Sequence, residues 1–306
     1  MKNSTKSGYK NFKLEDFKLS ENAHVLRNSS FDLTHYATSN INKTICFVEN
    51  EGYLLKANKN ENISCIITFE KFQDDVNPGK GIIISENPKK TFFEIHNQLY
   101  KEYSYKNKET IIHKESEIHS TAIIGNGVQI GKGTKIGAYS VIEDGSIIGN
   151  NVLVESHVVV GGRGMHNTKI DGSFIKVIDL GNVIVEDDCE ILSHAVIQKP
   201  YFYHSTIIGS DSRISVGCNI GHGCNIGPST IVAGHSVIAG YCKVGKGVWI
   251  GPNSTIAHMT EIGNFSSVIL GSVLIENVGI GSYVSGNFAL DHATNIKKYI
   301  RTKRGK

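Results

Sequence analysis

Histidine is the side chain whose ordinary pKa lies near neutrality, so the 13 histidines of this 306-residue chain are its first candidates for proton transfer, and their spacing decides which can meet. Three of them, His204, His222 and His258, are separated by 18 and 36 residues. An imidazole can accept the proton of an amine as that amine attacks a carbonyl. Taken alone, His222 reads first as a solvated polar residue at a turn, the commoner case for a lone histidine, and second as a general base. For His194 and His235 the solvated role is the simpler reading. None of the six cysteines forms a CxxC pair, so the chain lacks the usual spacing of zinc and dithiol sites. No serine or cysteine nucleophile motif flanks His222, so any acyl transfer there would be direct attack without an acyl-enzyme.

A multiple of 18 gains meaning from a repeat. From Ile208 to Ile280 every sixth residue is Ile, Val or Leu. Six fits neither a helix face at 3.6 nor a strand face at 2, and it reads as a β-solenoid. A second series in the same phase runs from Ile118 to Val160, and Val185, Ile191 and Ile197 keep the step in a shifted phase. Two segments, 161–182 and 198–205, must therefore leave the wall, and loops on a rigid scaffold are where function concentrates. Each inward aliphatic stacks on its equivalent one coil on. His222, two residues after Ile220, then lies at a corner facing outward. Gly240 shares its column, and His258 follows two coils away, about 10 Å at the strand spacing. His204 joins the column only if its loop keeps register. Cys189, Cys218, Cys224 and Cys242 each follow an inward aliphatic by four residues, in a slot elsewhere filled by Val, Ser or Thr, and read as packing residues.

The bulk composition agrees. Glycine is high at 32 and proline low at 5, as many tight turns require. The net charge of +3 becomes −3 once the six cations of the last ten residues (Lys297, Lys298, Arg301, Lys303, Arg304, Lys306) are set aside. A mildly acidic body with a basic tail is not a nucleic-acid-coating protein. No apolar run approaches the ~20 residues of a membrane span, and the opening residues lack a signal peptide's apolar core, so a cytoplasmic protein is expected. The domains read as follows: a small α/β unit over 1–105, a linker at 106–113, the solenoid over 114–288 with loops at 161–182 and 198–205, and a basic helix or tail over 289–306. The helix, from about Asp291 to Arg301, is expected to close the open end of the solenoid. In the first unit, strand-like runs at 43–48, 63–68 and 81–85 precede a helix opened by Asn87-Pro88, while 1–40 gives no assignable pattern.

The hexapeptide, an aliphatic residue then Gly and later a small residue, resembles the left-handed β-helix acyltransferases. The closest likeness is to the UDP-3-O-acylglucosamine N-acyltransferases of lipid A biosynthesis and related nucleotide-sugar N-acyltransferases. It rests on Cys46-Phe47-Val48-Glu49-Asn50-Glu51-Gly52-Tyr53, on Lys176–Ile184 with its Leu180-Gly181, and on Asn219-Ile220-Gly221-His222-Gly223. The resemblance implies a mainly β protein: a left-handed parallel β-helix of about eight coils with a small N-terminal α/β domain and a short C-terminal helix, assembled as a homotrimer.

The resemblance also implies roles. His222 becomes the general base; such chemistry also needs an oxyanion donor, for which the backbone of Gly240 is a candidate because it shares the His222 column. Phe47 and Tyr53 would sandwich a pyrimidine whose edge Asn50 reads, and His258 becomes a donor-site candidate; Trp249, outward because it precedes inward Ile250, is a second donor-site candidate or a trimer contact. The acyl donor would be an acyl-CoA or acyl-ACP thioester and the acceptor a nucleotide-linked amino sugar, with no metal required and no nucleic acid or membrane span involved. The chain departs from the family where sugar and acyl chain are held, at Gly161–Met165 and at 198–205. A second expectation is therefore an acetyl-CoA enzyme making an acetamido sugar, UDP- or dTDP-linked, for surface glycans. A zinc-dependent β-helix carbonic anhydrase is disfavoured because no two solenoid histidines lie five apart. A nucleotide-binding solenoid without catalysis is the non-enzyme alternative.

Overall fold

The computed structural model describes residues 10–165, 168–170, 172–286 and 291–304. The chain divides into two compact units, one made of Met1–Asn107, Arg163–Gly181 and Pro200–His204, the other of Lys108–Gly162, Asn182–Lys199 and Ser205–Lys306. Parts of the expected loop 161–182 and of the C-terminal segment lie outside the described residues.

In the first unit, β1 (Phe12–Lys13) pairs with β3 (Ser30–Phe31). A five-stranded sheet has β2 (Ala23–Arg27), β7 (Gly81–Ser85), β6 (Ile63–Thr68), β5 (Thr44–Phe47) and β4 (Leu33–Thr34) in that order. All its pairings are parallel except β2 with β7. β6 and β7 are almost wholly buried, as parallel strands covered on both faces must be, and so read as unbroken apolar runs. Strand β2 was hidden within 1–40 because its sequence, AHVLR, is that of a half-exposed edge. Helix α1 (Glu51–Lys59) follows β5, and α2 (Pro88–Tyr103) follows β7. As its sequence predicts, α2 starts with Asn87 Oδ1 accepting from the Lys90 N–H (3.0 Å) and with Pro88 where no donor is needed.

Both inserted segments help to build this unit. Phe202 is fully buried against His35 (ring centroids 4.7 Å apart) and Phe92 (5.9 Å). The 176–178 backbone is held by Asn97, whose Nδ2 donates to Lys176 O (2.8 Å) while its Oδ1 accepts from Ile178 N (2.9 Å).

The second unit is a left-handed parallel β-helix. Its strands, most of them two residues long, form three long sheets. The first runs through Ile123–Ile124, Asn219–Ile220 and Thr255–Ile256, the second through Gln129–Ile130, Asn225–Ile226 and Lys243–Val244, the third through Lys135–Ile136, Ile231–Val232 and Trp249–Ile250. They hold 8, 8 and 9 strands, which fits the expected eight or so coils. The wall begins inside the expected linker, since Ile111–Ile112 already pairs with Gln129–Ile130. Partners are 18 apart along most of the wall. The separation rises to 37 at Ile147↔Ile184 and to 23 at Asn182↔Ser205. The excesses, 19 and 5 residues, equal the lengths of Arg163–Gly181 and Pro200–His204.

The interior is a set of Ile and Val columns running from Val128 to Val278. Near the C-terminal end the ladder departs from the expected period. Ile280 is 76% exposed, and Val278 is buried and bridges Ile262 in its place. Tyr283–Val284 pairs with Ser267–Val268 at a separation of 16, so the last coil is two residues short. Helix α3 (His292–Arg304) exists, but every residue in it whose exposure is described is exposed. It therefore does not bury a face over the end of the prism as expected. Among the described residues, no helix is long and apolar enough to cross a membrane.

Candidate functional site

The coil passes from the first sheet round a corner to the second. Between Gly162 and Asn182, and again between Lys199 and Ser205, it leaves the wall at that corner. His222 turns the same corner on a later coil, between the strands Asn219–Ile220 and Asn225–Ile226. Its column continues with Gly240 and His258. The neighbouring column holds Gly223, Tyr241 and Met259 in the left-handed region, at φ of 70°, 59° and 61°. That conformation is what lets six residues close one side of the prism, and it is uncommon for Tyr and Met.

His222 is half-buried, its Nδ1 fully so. Its ring lies against the Cα of Gly240: a Cβ there would come 2.6 Å from His222 Cε1 and 2.7 Å from Nε2. Glycine at 240 thus leaves space for the imidazole. The same gap lets rings on coils two apart approach more closely than backbone spacing suggests. His222 and His258 have centroids 6.3 Å apart, less than the expected separation of about 10 Å. Tyr241 meets both edge-on, at 5.0 Å from His222 and 5.7 Å from His258. Among the described residues, the N–H groups of Gly240 and His258 donate to no backbone carbonyl of the ladder, which passes instead through Ala239 N to Ile256 O and Tyr241 N to His222 O. Gly221 lets successive coils approach closely here, since its own Cβ would come 2.6 Å from the nitrogen of buried Gly240.

The corner is tied from inside by residues whose roles spacing did not reveal. Fully buried Thr206 accepts from Gly223 N (2.8 Å) and donates to Gln198 O (2.6 Å). Gln198 in turn donates to Asn219 Oδ1 (3.1 Å). The next two residues in the Thr206 slot are Cys224 and Cys242, whose thiols donate to Ala239 O and Ala257 O, each at 3.0 Å. Those carbonyls immediately precede Gly240 and His258. Thr134, Ser140, Ser212, Thr230 and Ser236 bond the coil above in the same way. Buried Val128, Val152, Val158, Ala195 and Val248 fill the same slot without a donor, so it requires small volume and uses a donor where one is present. All six cysteines are buried and free, and burial pushes the Cys224 thiol well above its ordinary pKa.

Residues 109–144 and 127–162 match the family model of the bacterial transferase hexapeptide (six repeats). The chain resembles bacterial hexapeptide transferases. No curated protein matches it. Among solved structures, it is similar to the UDP-N-acetylglucosamine acyltransferase of Francisella novicida, at 20% identity over 62% of this chain and 71% of that one, with a TM-score of 0.47. The corresponding enzyme of Campylobacter jejuni matches at 20% identity over 64% and 85%, with a TM-score of 0.39. A hexapeptide transferase family protein of Anaplasma phagocytophilum matches at 14% identity over 66% and 95%, with a TM-score of 0.34.

The remaining sequence candidates fall into separate places. Trp249 lies on the third sheet, the face opposite the His222 corner, and is 41% exposed. His204 is the last residue of an inserted segment rather than a wall position, and its ring meets His35 at 5.7 Å. His194 stands at the corner between the third and first sheets, stacked on His157 (5.1 Å, 7° between planes), which in turn stacks on Tyr139. His235 turns that corner too. In the first unit, Phe47 packs on Phe92 (5.1 Å). Asn50 caps α1, its Oδ1 accepting from Tyr53 N (3.1 Å). Tyr53 is 51% exposed with the Lys56 ammonium 5.0 Å over its ring. Among the described residues, no group of three or more His, Cys, Asp or Glu is arranged to hold a metal ion.

Proposed function

We propose that the chain transfers an acyl group from a coenzyme A or acyl carrier protein thioester to the amine of a nucleotide-linked amino sugar, with His222 as general base. The observation that carries this reading is the column His222–Gly240–His258, which sets two imidazoles 6.3 Å apart beside the Gly240 N–H, a donor to no ladder carbonyl among the described residues. The neutral amine attacks the thioester carbonyl carbon and forms the C–N bond as its proton passes to His222. The Gly240 N–H steadies the oxyanion of the tetrahedral intermediate. Collapse breaks the C–S bond, and the proton held by His222 returns to the departing sulfur. His258 and Tyr241 flank the base on its donor side. Phe47, Asn50 and Tyr53 hold the pyrimidine of the acceptor, and the working form is a cytoplasmic homotrimer.

Replacing His222 with Ala tests the assignment. The variant should keep the parent's circular dichroism and oligomeric mass yet lose on the order of 100- to 10,000-fold in turnover. Wild-type turnover would remove His222 from the chemistry. Comparing acetyl-coenzyme A with longer acyl carrier protein thioesters as donors separates surface-glycan acetylation from lipid A acylation.

A further inference from the structure

Helix α3 presents an amphipathic surface that no described residue of its own chain covers. Ile296, Tyr299 and Ile300, at helical spacing i, i+3 and i+4, line one side and are 42%, 62% and 39% exposed. Lys297, Lys298 and Arg301 fall on the other side, and none of them forms an ion pair among the described residues. The sequence has no acid between His292 and Lys306, while the remaining body carries a formal charge of −3. We propose that α3 lays this chain on an anionic lipid surface, with Ile296, Tyr299 and Ile300 entering the headgroup boundary and the cations over the lipid charges.

Two arguments favour lipid over a second copy of the helix. The apolar stripe covers little more than one turn, whereas a helix–helix seam needs apolar residues at every 3.5 positions through several heptads. In a pair of like helices the cations, on the far side from the stripe, would also meet no opposite charge, whereas an anionic surface supplies it. A short apolar stripe on a helix that is otherwise polar and basic is the composition of an interfacial helix. Tyrosine, with an apolar ring and a polar tip, suits that boundary. Basic residues beside such a stripe add a salt-sensitive attraction to acidic headgroups.

The experiment is vesicle sedimentation of the full chain. It should pellet with phosphatidylglycerol-containing vesicles at low salt, tenfold or more less at high salt, and not with pure phosphatidylcholine. Ile296→Ser with Ile300→Ser, and separately Lys297→Glu with Lys298→Glu and Arg301→Glu, should each reduce pelleting at least tenfold while melting temperature and turnover stay at parent values. A parent chain that stays in the supernatant overturns the proposal. So do variants that pellet like the parent, and so does a serine variant that changes oligomeric mass in the absence of lipid, since that would mark α3 as a contact between copies.

Discussion

The imidazole of His222 occupies the space that Gly240 leaves by having no side chain, 2.6 Å at the nearest atom from where a Cβ would stand. Gly240 itself has no left-handed φ, so alanine fits its backbone and the collision falls on His222. Gly240→Ala should therefore fold and melt near the parent temperature while kcat/KM drops roughly 100-fold, the scale of a base displaced by about 1 Å. Steady-state kinetics beside a thermal melt checks this. An unchanged rate would mean that the ring's position does not matter to the reaction.

Thr206 reaches the same corner from inside the prism. Thr206→Val keeps the shape but removes the acceptor of Gly223 N and the donor to Gln198 O. The orphaned, half-buried groups should cost about 1 kcal/mol of stability, measured by urea unfolding. Because Gly223 follows His222, kcat should also fall, with KM for the nucleotide sugar little changed.

The Cys224 thiol already acts as a donor, to Ala239 O at 3.0 Å. Cys224→Ser, which restores the hydroxyl found elsewhere in this slot, should cost under about 1 kcal/mol, whereas Cys224→Leu should cost about 1–3 kcal/mol by overpacking a filled column. Denaturation midpoints of the two variants decide it, and equal losses would show that volume is not the constraint.

His35 introduces a pH dependence into the first unit. Burial, against the smaller opposing effect of a backbone bond at Tyr36, lowers its pKa from 6.5 to about 4. Between those values the unfolded chain binds the proton and the folded chain does not, so stability rises with pH through this window. The contribution is complete above pH 6.5 and lost as pH falls toward about 4. Its full size is on the order of 3 kcal/mol. His35→Gln should flatten the dependence of melting temperature on pH between 4 and 6.5, and a slope equal to the parent's would assign it to other groups.

Much of the solenoid was legible because its inward columns demand an aliphatic residue at every sixth position, and a period of six cannot be mistaken for a helix or strand. The phase slips located both insertions, whose 19 and 5 residues the pairing separations now measure. Less was legible where one residue answers to several neighbours. Spacing put Gly240 in the His222 column but could not show that its hydrogen atom makes room for an imidazole. It gave His258 a distance set by the backbone, whereas ring packing across Gly240 brings the centroids to 6.3 Å. The Cys slot read as a matter of volume, and its hydrogen bonds 15 residues ahead appear only when coils are stacked. At the far end, Ile280 matched the period and is nonetheless exposed, because the last coil is two residues short and Val278 takes the inward place.

By itself the sequence determined the β-helix, its inward columns and the corner on which His222 turns, since these follow from a period that burial enforces residue by residue. Only the tertiary structure decided which side chains meet at that corner, that Trp249 faces away from it, and that α3 stays uncovered. Those outcomes depend on ring directions and on distances between coils, and a linear spacing carries no information about either.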